Sequence, residues 1–230
     1  MSYRARLLRA LAVLAAVLLL AVAVPAMWAR VTVYFGANFD QKGAPGQQAP
    51  LVADPGTFSA SGPGFNVVPT SSEGGALLIE GLGLTSESVL TGTFEKIFKG
   101  SELQIDFTAT VGSAGSNFSL RAIEDTDGEI IDLGWDGNGF VDVDGLPGGS
   151  YAAGAPSSYS LTLRDVSIGS DLWVLTITPA SGVPVTQSGP LVLSKPLSVK
   201  AIKFVIPAGT LGTMLVDDVQ VASVSFATNK

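Results

Sequence analysis

The chain has 230 residues, 13 of them basic and 20 acidic, and contains neither Cys nor His. Without Cys there is no disulfide scaffold, thiolate zinc site or Cys nucleophile, and without His there is no Ser-His-Asp triad or imidazole metal site. Only 14% of residues are charged while 27 are Gly, which fits short strands and many turns rather than charged helices.

The N-terminus begins with Arg4, Arg6 and Arg9, followed by an unbroken Ala/Val/Leu run from Ala10 to Ala23. Small residues follow at Ala23, Ala26 and Ala29. This is the order of a secretory signal peptide, and Val24-Pro25-Ala26 suits cleavage after residue 26. Cleavage after Ala23 or Ala29 satisfies the same rule. The alternative is an uncleaved membrane anchor, because Leu7 to Met27 is just long enough to span a bilayer. The expected organisation is a signal peptide over 1–26 and one domain over 27–230, secreted or otherwise outside the cytoplasm. The mature 204 residues would carry a net charge of −10. Such acidity disfavours nucleic acid and anionic membranes as partners.

Residues 30–39 alternate at Val31, Val33 and Phe35, and the Gly/Pro/Gln-rich stretch 41–63 reads as a long loop. Strand-like runs then recur about every ten residues, separated by Gly, Pro, Ser or Asp. They fall at 75–81, 88–96, 102–111, 117–124, 129–135, 139–143, 158–166, 171–178, 190–194, 197–206 and 213–226. Leu103, Ile105, Phe107, Ala109 and Val111 line one face of a strand, and Tyr159, Leu161 and Leu163 line another. No amphipathic helix longer than about two turns follows the N-terminal segment. The expectation is all-β: a two-sheet antiparallel β-sandwich.

Several segments resemble the concanavalin A-like jelly-roll group, which includes laminin G-like domains, legume-type lectins, jelly-roll glucanases and related carbohydrate-binding modules. Asn38-Phe39-Asp40 resembles the opening of the first strand. Gly75 to Ile79 resembles the strand where the domain's edge is laid down. Ser158 to Leu163 followed by Leu172 to Ile177 resembles the paired strands after the central hairpins, and Met214 to Val221 resembles the closing strand. The resemblance implies jelly-roll topology and a carbohydrate or other surface ligand. It also implies a structural calcium near Asp40 and one of Asp217 or Asp218. Two adjacent acids in an apolar strand place one on each face, so one points toward the core unless a bulge turns both outward.

Eight of the 20 acids lie in residues 124–144, with no Lys or Arg among them. Hard cations take several oxygens on Gly-containing loops, but Asp-Gly and Asn-Gly are also ordinary hairpin turns. Sugar binding calls for exposed rings with polar partners. The candidates are Trp135, Tyr151 and Trp173 with Asp136 and Asn138, although the apolar neighbours of both tryptophans favour a core position over a platform. The glucanases carry three acids on one strand face. Here Glu129 and Asp132, three apart, are expected on opposite faces, and the third acid is absent, which argues against hydrolysis. Three functions follow in order: a non-catalytic domain binding polysaccharide or another surface ligand, a structural or adhesive protein self-assembling through its sheet edges, and a glycan-active enzyme.

Overall fold

The computed structural model describes residues 28–40, 50–70, 74–112, 117–166 and 170–227. The segment read as a signal peptide lies outside them, so its expected helix and cleavage do too. The chain divides into two units, residues 32–223 and residues 1–31 with 224–230. In the second unit the described residues are the outer ends of the first and last strands.

Every described element is a strand. In chain order these are β1 (Trp28–Ala37), β2 (Thr57–Ser61), β3 (Phe65–Pro69), β4 (Gly75–Glu80), β5 (Ser88–Lys99), β6 (Glu102–Val111), β7 (Phe118–Glu124) and β8 (Glu129–Trp135). They continue as β9 (Phe140–Val143), β10 (Leu146–Ser150), β11 (Pro156–Arg164), β12 (Leu172–Pro179), β13 (Val185–Pro190), β14 (Ser198–Ile206) and β15 (Thr213–Ala227). One sheet runs β13-β12-β11-β6-β15-β4-β3, with β1 also paired to β15. The other runs β10-β9-β8-β7-β14-β5-β2. Every pairing with a resolved register is antiparallel.

The alternation read from sequence is what builds the core. Leu103, Ile105, Phe107, Ala109 and Val111 are all buried on the inner face of β6, and Tyr159, Leu161 and Leu163 are buried beside them on β11. Inner faces of both sheets merge into a single apolar cluster. Phe107 of the eight-stranded sheet meets Trp135 of the seven-stranded sheet edge-on at 6.0 Å, which fixes the layers against each other.

Four strands differ from expectation. The stretch read as loop contains β2, and β3 rather than Gly75–Ile79 forms the sheet edge. Residues 146–150 form a strand despite Pro147 and two glycines. The strand expected at 190–194 lies earlier, at 185–190. β2, β3, β10 and β13 are all at sheet edges, where one side of the ladder is open and side-chain alternation is weakly enforced.

Candidate functional site

β15 departs from regular pairing with β6 between Asp217 and Gln220. Val216 and Val219 both reach the core, and the extra residue is accommodated by Asp218 in a left-handed conformation at φ 52. The bulge turns both acids away from the core: Asp218 is exposed and Asp217 half-buried. The Asp218 N–H donates to Asp217 Oδ1 at 2.8 Å. Burial pushes the Asp217 carboxyl up to about 6, and the charges of Asp218 and Asp40 add to the rise. Asp40 accepts a long hydrogen bond, 3.4 Å, from the Gly75 N–H. Among the described residues no three acidic side chains come close enough to share a metal ion.

Beside this bulge lies a cleft of about 610 Å³. Asn38, Asp54, Asp106, Asp218 and Gln220 supply its polar lining, with Pro50 and Val52 on the apolar side. Asp106 and Asp218 also line a second groove of about 270 Å³, which continues past Thr108, Ser158, Ser160, Thr176 and Thr178. The two hollows thus form one polar track on the outer face of the eight-stranded sheet. Gln104 organises its floor, donating to both oxygens of Asp106 at 2.9 Å and to Ser160 Oγ at 3.1 Å. The hydroxyl-rich half was written in the outward positions of β6, β11 and β12. Asp54 reaches the cleft from a loop and carried no such signal.

The aromatic candidates are elsewhere. Trp135, Tyr151 and Trp173 are 2%, 8% and 1% exposed, so none presents a ring face on which a sugar could stack. The role expected of them as platforms is corrected accordingly. Trp135 packs against Phe107 and Tyr159, and Trp173 lies over Gly189, where an added Cβ would come within 2.5 Å of its ring. Asp136 is engaged by its own turn. It accepts from the N–H of Asn138 at 3.0 Å, from the N–H of Phe140 at 2.9 Å and from Asn138 Nδ2 at 3.3 Å. Burial works to raise its pKa, but these donors together hold it below the usual value. Asp136 and Asn138 are therefore partners in a hairpin turn.

Five acids of the run, Glu124, Asp125, Asp127, Glu129 and Asp132, form ion pairs. Lys195 Nζ lies 3.1 Å from Glu124 Oε2, 2.8 Å from Asp125 Oδ1 and 2.8 Å from Thr126 Oγ1. Lys200 Nζ lies 2.7 Å from Asp127 Oδ1. The Lys195 ammonium thus sits among the oxygens of the Glu124–Thr126 turn. The hydrogen bond from Lys195, with Ser198 and the Lys99 charge, holds the Asp125 carboxyl below its ordinary value.

A second bulge corrects the reading of Glu129 and Asp132. Ile130 and Ile131 are both buried, and β7 pairs Ala122 with Ile131 but Ile123 with Glu129. The extra residue puts Glu129 and Asp132 on one outward face. Arg121 Nε lies 3.0 Å from Asp132 Oδ2 and 3.5 Å from Glu129 Oε2, and its Nη1 lies 3.6 Å from Glu87 Oε2. Burial raises the Glu129 pKa against the pull of Arg121. The spacing argument against a shared face fails here, and the arrangement is a charge network centred on Arg121.

No family model matches the chain, and no curated protein matches it. Solved structures do. A marine alginate lyase from Aplysia kurodai superposes with a TM-score of 0.55 at 9% identity, over 69% of this chain and 86% of that one. A seed lectin from Lotus tetragonolobus gives 0.52 at 7% identity, over 86% and 100%. The lectin from Bauhinia forficata in complex with GalNAc gives 0.51 at 12% identity, over 87% and 100%. The protein has the concanavalin A-like jelly-roll sandwich fold. At these identities the likeness is one of fold, and the fold carries lectins and a lyase alike.

Proposed function

We propose that the protein is an exported, non-catalytic β-sandwich that binds carbohydrate along the outer face of its eight-stranded sheet. The observation that carries this reading is the continuous polar track through Asp106 and Asp218. Sugar hydroxyls both donate and accept. The track offers carboxylate acceptors, the amides of Asn38 and Gln220, and a row of Ser and Thr hydroxyls that do both. The lectins among structures of the same fold support a glycan ligand, and the basic, then apolar N-terminus supports export. Without an exposed ring in the track, affinity rests on hydrogen bonds and is expected to be weak. A micromolar to millimolar Kd corresponds to roughly −8 to −4 kcal/mol. Calorimetry against a panel of soluble polysaccharides and oligosaccharides tests it. At least one glycan should bind, and Asp106→Ala and Gln220→Ala should each weaken that binding several-fold while the melting curve is retained. A panel with no binder, or a binder indifferent to both substitutions, rejects the site.

The Asp40–Asp217 pair supports a more limited calcium reading. The Asp40 charge is felt at the half-buried Asp217, and neither carboxylate forms an ion pair among the described residues. A cation held there with backbone carbonyls would relieve their repulsion. Self-assembly is favoured by one feature, the edge strand β13. Residues 180–194 contain no charge, and Val183 and Val192 are 81% and 88% exposed. Light scattering separates a monomer from an edge-paired oligomer, and Val185→Lys should dissociate the latter.

A further inference from the structure

Strand register sets a continuous row of polar side chains on the outer face of the eight-stranded sheet. Gln220 on β15 stands opposite Asp106 on β6, and Asp106 opposite Ser160 on β11. Ser160 in turn stands opposite Thr176 on β12, and Thr176 opposite Thr186 on β13. All five point outward, because Phe107, Tyr159, Leu161, Leu175 and Ile177 beside them in sequence fill the core. Thr108, Ser158 and Thr178 form a second, parallel row two residues along each strand. The row is already ordered. The Thr176 and Thr186 hydroxyl oxygens lie 3.0 Å apart, and Gln104 Nε2 donates both to Ser160 Oγ and to the Asp106 carboxylate. The groove of about 270 Å³ follows the row from Asp218 to Thr176, across four strands rather than along one.

Neighbouring strands lie about 4.8 Å apart, so the five positions span roughly 19 Å. A linear β-linked glycan in its extended form advances by nearly the same distance per sugar. Each sugar laid along the row therefore meets a new side chain that donates to or accepts from its hydroxyls. Every such bond replaces one to water and is weak by itself, so binding strength has to come from several in line. Among the described residues no Lys or Arg lines the cleft or the groove, while Asp54, Asp106 and Asp218 do. A sugar carboxylate would meet like charge there with no cation to pair it. We propose that this row seats an extended, linear polysaccharide free of acidic groups, laid across the strands with about one sugar to each. This rests on the reading of the track as a sugar site, and gives that site a polymer chain rather than a terminal sugar as its ligand.

Calorimetry with cello-, manno- and chito-oligosaccharides, each from disaccharide to hexasaccharide, tests this. In at least one series affinity should climb several-fold from disaccharide to pentasaccharide and then level off. Thr176→Val and Thr186→Val each remove one hydroxyl at the end of the row far from Asp106, and keep the branched shape that suits a strand. Each should weaken the pentasaccharide several-fold, affect the disaccharide little and leave the melting curve in place. A mannuronate oligomer should bind several-fold more weakly than the neutral mannose oligomer of the same length. Equal affinity for disaccharide and pentasaccharide, or a pentasaccharide indifferent to both threonine substitutions, overturns the row. The sugar site itself still stands in that case if Asp106→Ala weakens binding, and falls with the row if it does not. Mannuronate bound as tightly as mannose also overturns the proposal, and so does an absence of binding in all three series, even where another glycan binds at Asp106.

Discussion

Replacing Asp217 by Asn should make the protein more stable at neutral pH. The Asp217 carboxyl titrates at about 6 in the folded protein against 3.8 for an open chain. A shift of roughly 2 units corresponds to about 3 kcal/mol if water screened nothing. The side chain is only half-buried, so solvent reduces this to about 1 kcal/mol. The folded state binds the proton more tightly than the unfolded state. Stability therefore rises as pH falls from 7 through 6 toward 4, and the ionised carboxylate opposes folding above that window. Asn removes the charge at every pH. At pH 7 the Asp217→Asn variant should melt about 2–4 °C higher than the parent, a difference that closes by about pH 4. Burial also raises the pKa of Glu129 and Asp144, so the parent curve slopes in the same direction for other reasons. The difference between the two proteins isolates Asp217. Scanning calorimetry from pH 4 to 8 measures it. A variant that melts at or below the parent at pH 7, or a gap that does not change with pH, would refute the reasoning.

Millimolar calcium should raise the melting temperature of the parent at pH 7 by linkage and leave Asp217→Asn unmoved; identical curves with calcium and with chelator remove a cation from the Asp40–Asp217 pair. Lys195→Met should lower the melting temperature by about 2 °C at neutral pH. Because Lys195 lowers the Asp125 pKa, that loss should persist down to the ordinary aspartate value of 3.8 and disappear below it, which a pH series of melts would show. Gly189→Ala places a methyl within 2.5 Å of the Trp173 ring and should destabilise by about 1–3 kcal/mol in urea titration; an unchanged midpoint would mean the indole moves freely.

Central strands were legible because both sides of each ladder enforce the alternation. Residues 129–135 were read with the limits that β8 has, and 102–111 likewise for β6. Edge strands such as β10, with Pro147 and two glycines, lack that enforcement. Bulges were the larger obstacle. One extra residue at Ile130 inverts the facing of everything beyond it. A rule of two therefore separated Glu129 from Asp132, which in fact share Arg121. The bulge at Asp218 was named as one alternative for the Asp217-Asp218 pair, but nothing local decides between an inward acid and a kinked strand. The rings of Trp135 and Trp173 showed their neighbours in sequence, and those apolar neighbours pointed to the core. Tyr151, in a Gly-rich stretch, gave no such warning of its burial. The cleft joins β1's exit, the loop at Asp54 and the centre of β6 and β15, three regions whose proximity is a product of topology and invisible to any local pattern.

Lys195 has a consequence for how the 124–127 hairpin is held closed. The turn from Glu124 to Asp127 gathers oxygens as an ion-binding loop does, but its counterion is covalently part of the chain. A hairpin of this kind closes on a cation that the chain itself supplies. Exchange of the lysine for a neutral residue would leave Glu124 and Asp125 without the cation they share, and their mutual repulsion would act to open the turn.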